Sequence, residues 1–215
     1  MTEQNFAAMR RAMVESQLRT NDVNDVAAIR AILAVPREAF VPEERRAAAY
    51  IDRAVPLSGG RALNPPLATA RLLVEAQVTP GHSVLLIGAA TGYAAALLAE
   101  MGAKVTAVES DAALAATAKT ALGDRATLVE GPLEAGAPAG SPYDILFIDG
   151  AVELLPETLT DQIRPGGRAV FARVDQGVTR LCSGVRSAGG FGANAFADSE
   201  SVVLPGFAAP RGFCF

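Results

Sequence analysis

The sequence predicts an α/β fold, a doubly wound and mostly parallel sheet preceded by an N-terminal helical extension. Three observations predict it. After Pro80, short apolar runs alternate with helical ones. Those runs are nearly continuous in apolar residues, as in strands covered on both faces by helices. The stretch "VLLIGAATGY", residues 84–93, reads as a strand that enters a glycine turn and opens a helix.

The elements follow in chain order. "FAAMRRAMVESQL" sets Phe6, Met9, Met13 and Leu18 near helical spacing, so that side is expected to pack into the core. Asn21 or Asp22 is the expected cap of a second helix, "DVAAIRAILAV", which ends ahead of Pro36. "AYIDRAVPLSGGRALNPP" is rich in Gly and Pro and lacks periodicity, and is read as a loop; "LATARLLVEA" then resumes a helix. Strands are expected at "SVLLIG", "KVTAVES", "ATLVEG", "YDILFIDG" and "RAVFARV", with helices at "YAAALLAEM" and "AALAATAKTAL" between them. The tail pieces "GVTRLCSGVRS", "GANAFAD" and "GFAAPRGFCF" read as further short strands closing the sheet edge. Residues 1–78 are expected to form N-terminal helices and a loop, and 79–215 a Rossmann-like core, in one structural domain.

Length and composition limit the function classes. The 215 residues suffice for one domain with a full core and are too few for two ordinary ones. Half the residues are hydrophobic and a fifth charged, the balance of a folded soluble protein. A net charge of -4 leaves no basic footprint, which argues against nucleic acid as a partner. No stretch has the length and apolarity of a membrane span, and the polar start has no signal-peptide core, so a cytoplasmic location is expected. Cys182 and Cys214 are too far apart in sequence for a metal-binding knuckle and read as small core residues. The single histidine, His82 in "TPGHS", reads as a turn residue, so neither a metal site nor a histidine triad is expected.

The glycine turn carries the functional signal. About 20 residues beyond Gly88, at the end of the next strand, stands Glu109, placed to accept hydrogen bonds from ribose hydroxyls. Together they imply an adenosine-containing ligand. A dinucleotide turn needs a third small residue where this chain has Tyr93, which disfavours a nicotinamide dehydrogenase. The spacing of Gly88, Ala90 and Gly92 instead matches the turn of S-adenosylmethionine enzymes, with a methyl group added at the middle position and Leu86 standing where an acid is usual.

Outside the turn, "MVESQLR", "VPREAFVP" and "AYIDRAVPLSGG" follow in an order and spacing that resemble the protein-L-isoaspartate O-methyltransferases, a branch of the class I S-adenosylmethionine-dependent methyltransferases. "LLIGAATGYAAALLA" and "LPETLTDQIRPGGRAV" extend the resemblance over residues 10–175. It implies methyl transfer from S-adenosylmethionine to the free α-carboxylate of isoaspartyl residues in damaged proteins. Gly88, Ala90, Gly92, Tyr93, Glu109 and Asp149 are the implied cofactor residues, and Arg61 and Asn64 are the implied catalytic residues facing an isoaspartyl peptide.

The chain departs from the family pattern at several of these places. "GRALNPP" sets Arg61 for a glutamine, Ala62 for a threonine and Asn64 for a hydroxyl-bearing serine; Pro132 replaces an acid, and Asp149-Gly150 a Thr-Ala pair. Asn64 retains a hydrogen-bond donor for a carboxylate and Arg61 supplies charge. The alternatives are ordinary loop residues at both positions and a capping acid at Asp149. Joint change in both half-sites also supports a second reading, a family member that has lost methyl transfer and acts as a binding or interaction protein.

Overall fold

A computed structural model describes residues 5–209. Helix α1 (Phe6–Met13) runs on through a widened turn (Val14–Leu18) and a tight one (Arg19–Asn21). Met13 and Leu18 are buried, and Phe6 and Met9 pack against the same core. Helix α2 spans Val26–Ala34, and its cap is Asp25, not Asn21 or Asp22. An N-cap needs an extended backbone; Asp25 has it and accepts the Ala28 amide at 2.8 Å, whereas Asp22 lies in the left-handed region at φ 65° and closes the preceding turn. The Gly/Pro loop is pinned by a two-residue hairpin, β1 (Val55–Pro56) with β2 (Ala62–Leu63), before helix α3 (Pro66–Ala76).

The remaining elements are β3 (Ser83–Ile87), α4 (Tyr93–Glu100), β4 (Lys104–Glu109), α5 (Ala112–Leu122), β5 (Ala126–Glu130), β6 (Tyr143–Val152), α6 (Glu157–Thr160), β7 (Ile163–Asp175), β8 (Val178–Ser187) and β9 (Gly190–Asp198). They form a seven-stranded sheet in the order β5-β4-β3-β6-β7-β8-β9. The five strands from β5 to β7 are parallel, and β8 and β9 add an antiparallel meander. All five strands expected from apolar runs are present, and two of the three tail pieces form strands. The third does not: residues 206–209 lie in no strand, and 210–215 fall outside the described residues, as does Cys214.

The central strand β3 explains the core. Val84 and Leu86 point into the cluster that holds the N-terminal helices and α4, while Leu85 and Ile87 point into a second cluster on the opposite face. This two-residue alternation buries both sides of one strand, so its sequence reads as continuously apolar. On the second face, α6 contributes Leu159, and Leu204 and Phe207 from the C-terminal segment complete the cluster. Cys182 is buried as a free thiol within it. His82 is a turn residue whose ring contacts Thr79.

Candidate active site

Strand β3 pairs with β4 on one side and β6 on the other, so crossovers leave it in opposite directions and open a crevice at its carboxyl end. There the chain turns through three left-handed residues, Gly88 (φ 80°), Ala90 (φ 49°) and Gly92 (φ 99°). Gly88 and Gly92 adopt this conformation without a Cβ penalty; for Ala90 it costs about 1–2 kcal/mol. The Ala90 amide donates to Glu109 Oε2 at 2.7 Å, a charge-assisted bond that offsets this strain. Gly92 also lies against α5, where a Cβ would meet Leu122 at 3.1 Å. Leu86, in place of the usual acid, is wholly buried in the core.

Tyr93, the first residue of α4, is buried beneath the N-terminal segment. The Arg37 guanidinium lies 4.8 Å from its ring centroid and the Phe40 ring 5.6 Å away. Arg37 donates to the carbonyls of Ala49 (2.8 Å) and Asn64 (2.6 Å), and Thr91 donates to that of Phe40 (2.6 Å). Burial pushes the Arg37 pKa down against the charge of Asp149 and the ring of Tyr93, and pushes the Tyr93 hydroxyl up. Thus "VPREAFVP" clamps the helix that follows the glycine turn. Arg37 and Thr91 stand out as polar residues only once burial is known; the sequence signal for Arg37 was its place inside a recognised motif.

Glu109 ends β4 and is completely buried. Arg61 forks onto it, Nη1 to Oε1 and Nη2 to Oε2 (3.1 Å for the latter), and is itself only 7 % exposed. Oε1 also accepts the amides of Ser110 (2.9 Å) and Asp111 (3.0 Å). With the Ala90 amide, five nitrogen donors surround one carboxylate, and the Ser110 hydroxyl adds a longer contact at 3.5 Å. Arg61 reaches it because "LSGGR" folds tightly: the Leu57 amide donates to the Arg61 carbonyl, and Gly59 (φ 62°) brings the loop against Asp111.

Asn64 and Asp149 meet as well. Asn64 Nδ2 donates to Asp149 Oδ1 at 2.9 Å, and Thr69 Oγ1 donates to the same oxygen at 3.1 Å. Burial holds the Asp149 carboxyl above the ordinary aspartate range, against the pull of these two hydrogen bonds. The other end of Asn64, Oδ1, accepts the Val202 amide at 2.7 Å. The sequence reading did not anticipate a role for residues 202–207. Val203 makes a parallel bridge to Ala151, and Leu204 lies over the turn: a Cβ on Gly88 would stand 2.9 Å from Leu204 Cδ1, and one on Gly150 2.5 Å from Leu204 Cγ. Pro132 opens the short turn Leu133–Ala135, whose Glu134 touches Gly206.

The structure therefore gathers Arg61, Asn64, Gly88, Ala90, Glu109 and Asp149 at one crevice, with Gly92 and Tyr93 behind it. Arg61 and the amides of Ala90, Ser110 and Asp111 occupy Glu109, and Leu204 packs against Gly88. Among the described residues no group of His, Cys, Asp or Glu is arranged to hold a metal ion.

A glycine turn at the switch point of a parallel sheet ordered β5-β4-β3-β6-β7 defines the class, an α/β protein of nucleotide-cofactor type. The model of the family described as "Protein-L-isoaspartate(D-aspartate) O-methyltransferase (PCMT)" matches residues 8–187. Among relatives, the chain is 40% identical over 168 residues to protein-L-isoaspartate O-methyltransferase of Methylorubrum extorquens, covering 77% of this chain and 74% of that one. It is 34% identical over 194 residues to the protein of the same name from Hyperthermus butylicus, covering 83% and 80%. Its fold matches a solved protein-L-isoaspartate O-methyltransferase at a TM-score of 0.79, with 23% identity over 92% of this chain and 66% of that one. A Plasmodium falciparum structure described in the same terms, solved with S-adenosyl-L-homocysteine, matches at 0.77, with 18% identity over 94% and 99%. The chain belongs to the protein-L-isoaspartate O-methyltransferase family.

Proposed function

We propose that this protein is a carboxyl methyltransferase of the isoaspartyl type, with S-adenosylmethionine as donor and isoaspartyl residues of damaged proteins as acceptors. The observation that carries the proposal is the family match, which spans both the N-terminal motifs and the glycine turn. The geometry supports it: the retained turn, Glu109 and the loop bearing Arg61 and Asn64 converge on one crevice. The reaction class asks for alignment more than for acid-base catalysis, because the acceptor carboxylate is itself the nucleophile. In this reading Gly88, Ala90, Gly92, Tyr93, Glu109 and Asp149 serve the cofactor, and Arg61 and Asn64 serve the acceptor once they leave their present partners. Residues 1–78 supply the acceptor side and 79–215 the cofactor core. The repair role belongs to the cytoplasm and involves no nucleic acid; among the described residues no helix is long and apolar enough to cross a membrane.

The test is transfer of a labelled methyl group to an isoaspartyl peptide beside its aspartyl counterpart. Label in the isoaspartyl peptide alone is the expected result. A second reading, a family member that binds without transferring, draws on one observation: both ends of the Asn64 amide are occupied. Cofactor binding without any transfer to the peptide decides for it.

A further inference from the structure

We propose that Asp52 is a positioning residue for the acceptor side of the crevice: it closes the loop that carries Arg61 and Asn64 and fixes the start of α3. The role of that loop rests on the methyltransferase reading. Helix α3 is entered through Pro65 and Pro66, and its cap, Pro65, makes no side-chain hydrogen bond. The Leu67 amide in its first turn is therefore a donor without a local side-chain acceptor. Asp52, fifteen residues earlier, supplies one: Oδ1 accepts the Leu67 amide at 3.0 Å. A carboxylate at this end of a helix is also favoured by the helix dipole. Asp52 can reach because the chain just before it is fixed. The Tyr50 hydroxyl accepts from Arg10 Nε of α1 at 2.8 Å and donates to Glu38, and the Tyr50 carbonyl accepts from Gln17 Nε2 at 3.0 Å. The chain then bends sharply, with the Arg53 amide on the Ile51 carbonyl at 2.7 Å.

The two feet of the loop are thus tied twice. Arg37 bridges the carbonyls of Ala49 and Asn64, and Asp52 adds a second tie to Leu67. Between them the short hairpin sets Val55 opposite Leu63 and Pro56 opposite Ala62. Leu67 lies between Asn64 and Thr69, the two residues that donate to Asp149 Oδ1. One hydrogen bond therefore sets where the loop ends and where α3 begins, and both donors to Asp149 depend on that junction. Methyl transfer needs the acceptor oxygen in line with the sulfonium, and misplacement by about 1 Å costs on the order of a hundredfold. A loosened junction spreads the positions of Arg61 and Asn64, so the acceptor is held less well. The glycine turn and Glu109 stand on β3 and β4 and keep their own support.

The experiment compares the full chain with Asp52→Ala and Asp52→Asn by three measurements: label transfer from S-adenosylmethionine to an isoaspartyl peptide, cofactor affinity by calorimetry, and amide hydrogen exchange. Asp52→Ala should raise the peptide KM about tenfold, with kcat and cofactor affinity within about twofold of the full chain's. Asp52→Asn keeps an oxygen acceptor and should recover most of that loss. Exchange at the amides of Leu57, Arg61 and Leu67 should quicken in Asp52→Ala, while those of β3 keep their rates. A fall in kcat and cofactor affinity at unchanged KM marks a merely structural role and overturns the proposal. So does an unchanged KM by itself, or an Asp52→Asn variant as impaired as Asp52→Ala. If Asp52→Ala does not fold, Asp52→Ser, with its shorter side chain, takes its place under the same expectations. A full chain that transfers no label removes the methyltransferase reading, and exchange then decides on Asp52: quickening confined to the loop and the start of α3 upholds it, and unchanged rates overturn it.

Discussion

Two buried arginines from the N-terminal third behave differently. Among the described residues Arg37 has no carboxylate partner: it stacks on Tyr93 and donates to two main-chain carbonyls, tying three chain segments together. Arg61 forks onto Glu109 and touches the floor of the crevice. The first arginine is part of the frame that holds the segments around the turn. The second is spent on one carboxylate inside the crevice. The arginine inside "VPREAFVP" thus belongs to the frame, whereas the arginine of the Gly/Pro loop belongs to the crevice.

The comparison can be broken by stability measurements in urea. Glu109→Gln should have the largest effect, about 3–5 kcal/mol, because Arg61 is left charged and buried beside a neutral amide. Arg37→Met should cost about 2–3 kcal/mol, since the carbonyls of Ala49 and Asn64 lose their donor. Arg61→Gln should cost less, about 1–2 kcal/mol, because three backbone amides still hold Glu109. A loss from Arg61→Gln as large as that from Arg37→Met would make both arginines frame, and the distinction would fall.

Two aspartates sharpen the same contrast through pH, and their signs are opposite. Asp149 lies in the crevice against Asn64 and Thr69, and burial raises its pKa above the ordinary 3.8. The folded protein keeps a proton that the unfolded chain releases, so its contribution is complete below pH 3.8 and is lost as pH rises toward the folded value. Asp144 lies in the frame at the opposite end of the sheet. Burial opposes ionisation there, but hydrogen bonds from Arg164 and Ser83 win and bring the carboxyl down to about 2. Its contribution is complete above 3.8 and is lost as pH falls from there through about 2. Urea midpoints between pH 2 and 6 should therefore show a shallower acid-side loss for Asp144→Asn. For Asp149→Asn the decline above pH 4 should be smaller. Because the Asp144–Arg164 pair keeps solvent contact, its effect is the smallest of the set.

Most of the sheet was legible in the sequence because burial of both faces imposes a local pattern on each strand. "SVLLIG" and "YDILFIDG" can be read without knowing their neighbours. The turn was legible for a similar reason: Gly88 and Gly92 carry the left-handed backbone that they suggest. The cap of α2 was misplaced because several polar residues precede the helix and only the backbone angles separate Asp25 from Asp22. The tail piece beginning at Gly206 was read as an edge strand because apolar residues beside glycine and proline look alike in a sheet edge and in a crevice.

Sequence alone determined the parallel strands, the left-handed turn and the family, since each is written in neighbouring residues or in motifs of fixed spacing. It also singled out Arg61, Asn64, Glu109 and Asp149 as the positions to watch. Only the tertiary structure decided what they do here: Arg61 reaches Glu109 across 48 residues and Asn64 joins Asp149 across 85. Asn64 also holds Val202 across 138 residues, seating Leu204 over the turn. Periodicity carries no information about such pairings, because the choice of partner for a buried charge is settled by which groups packing brings together once water has been excluded.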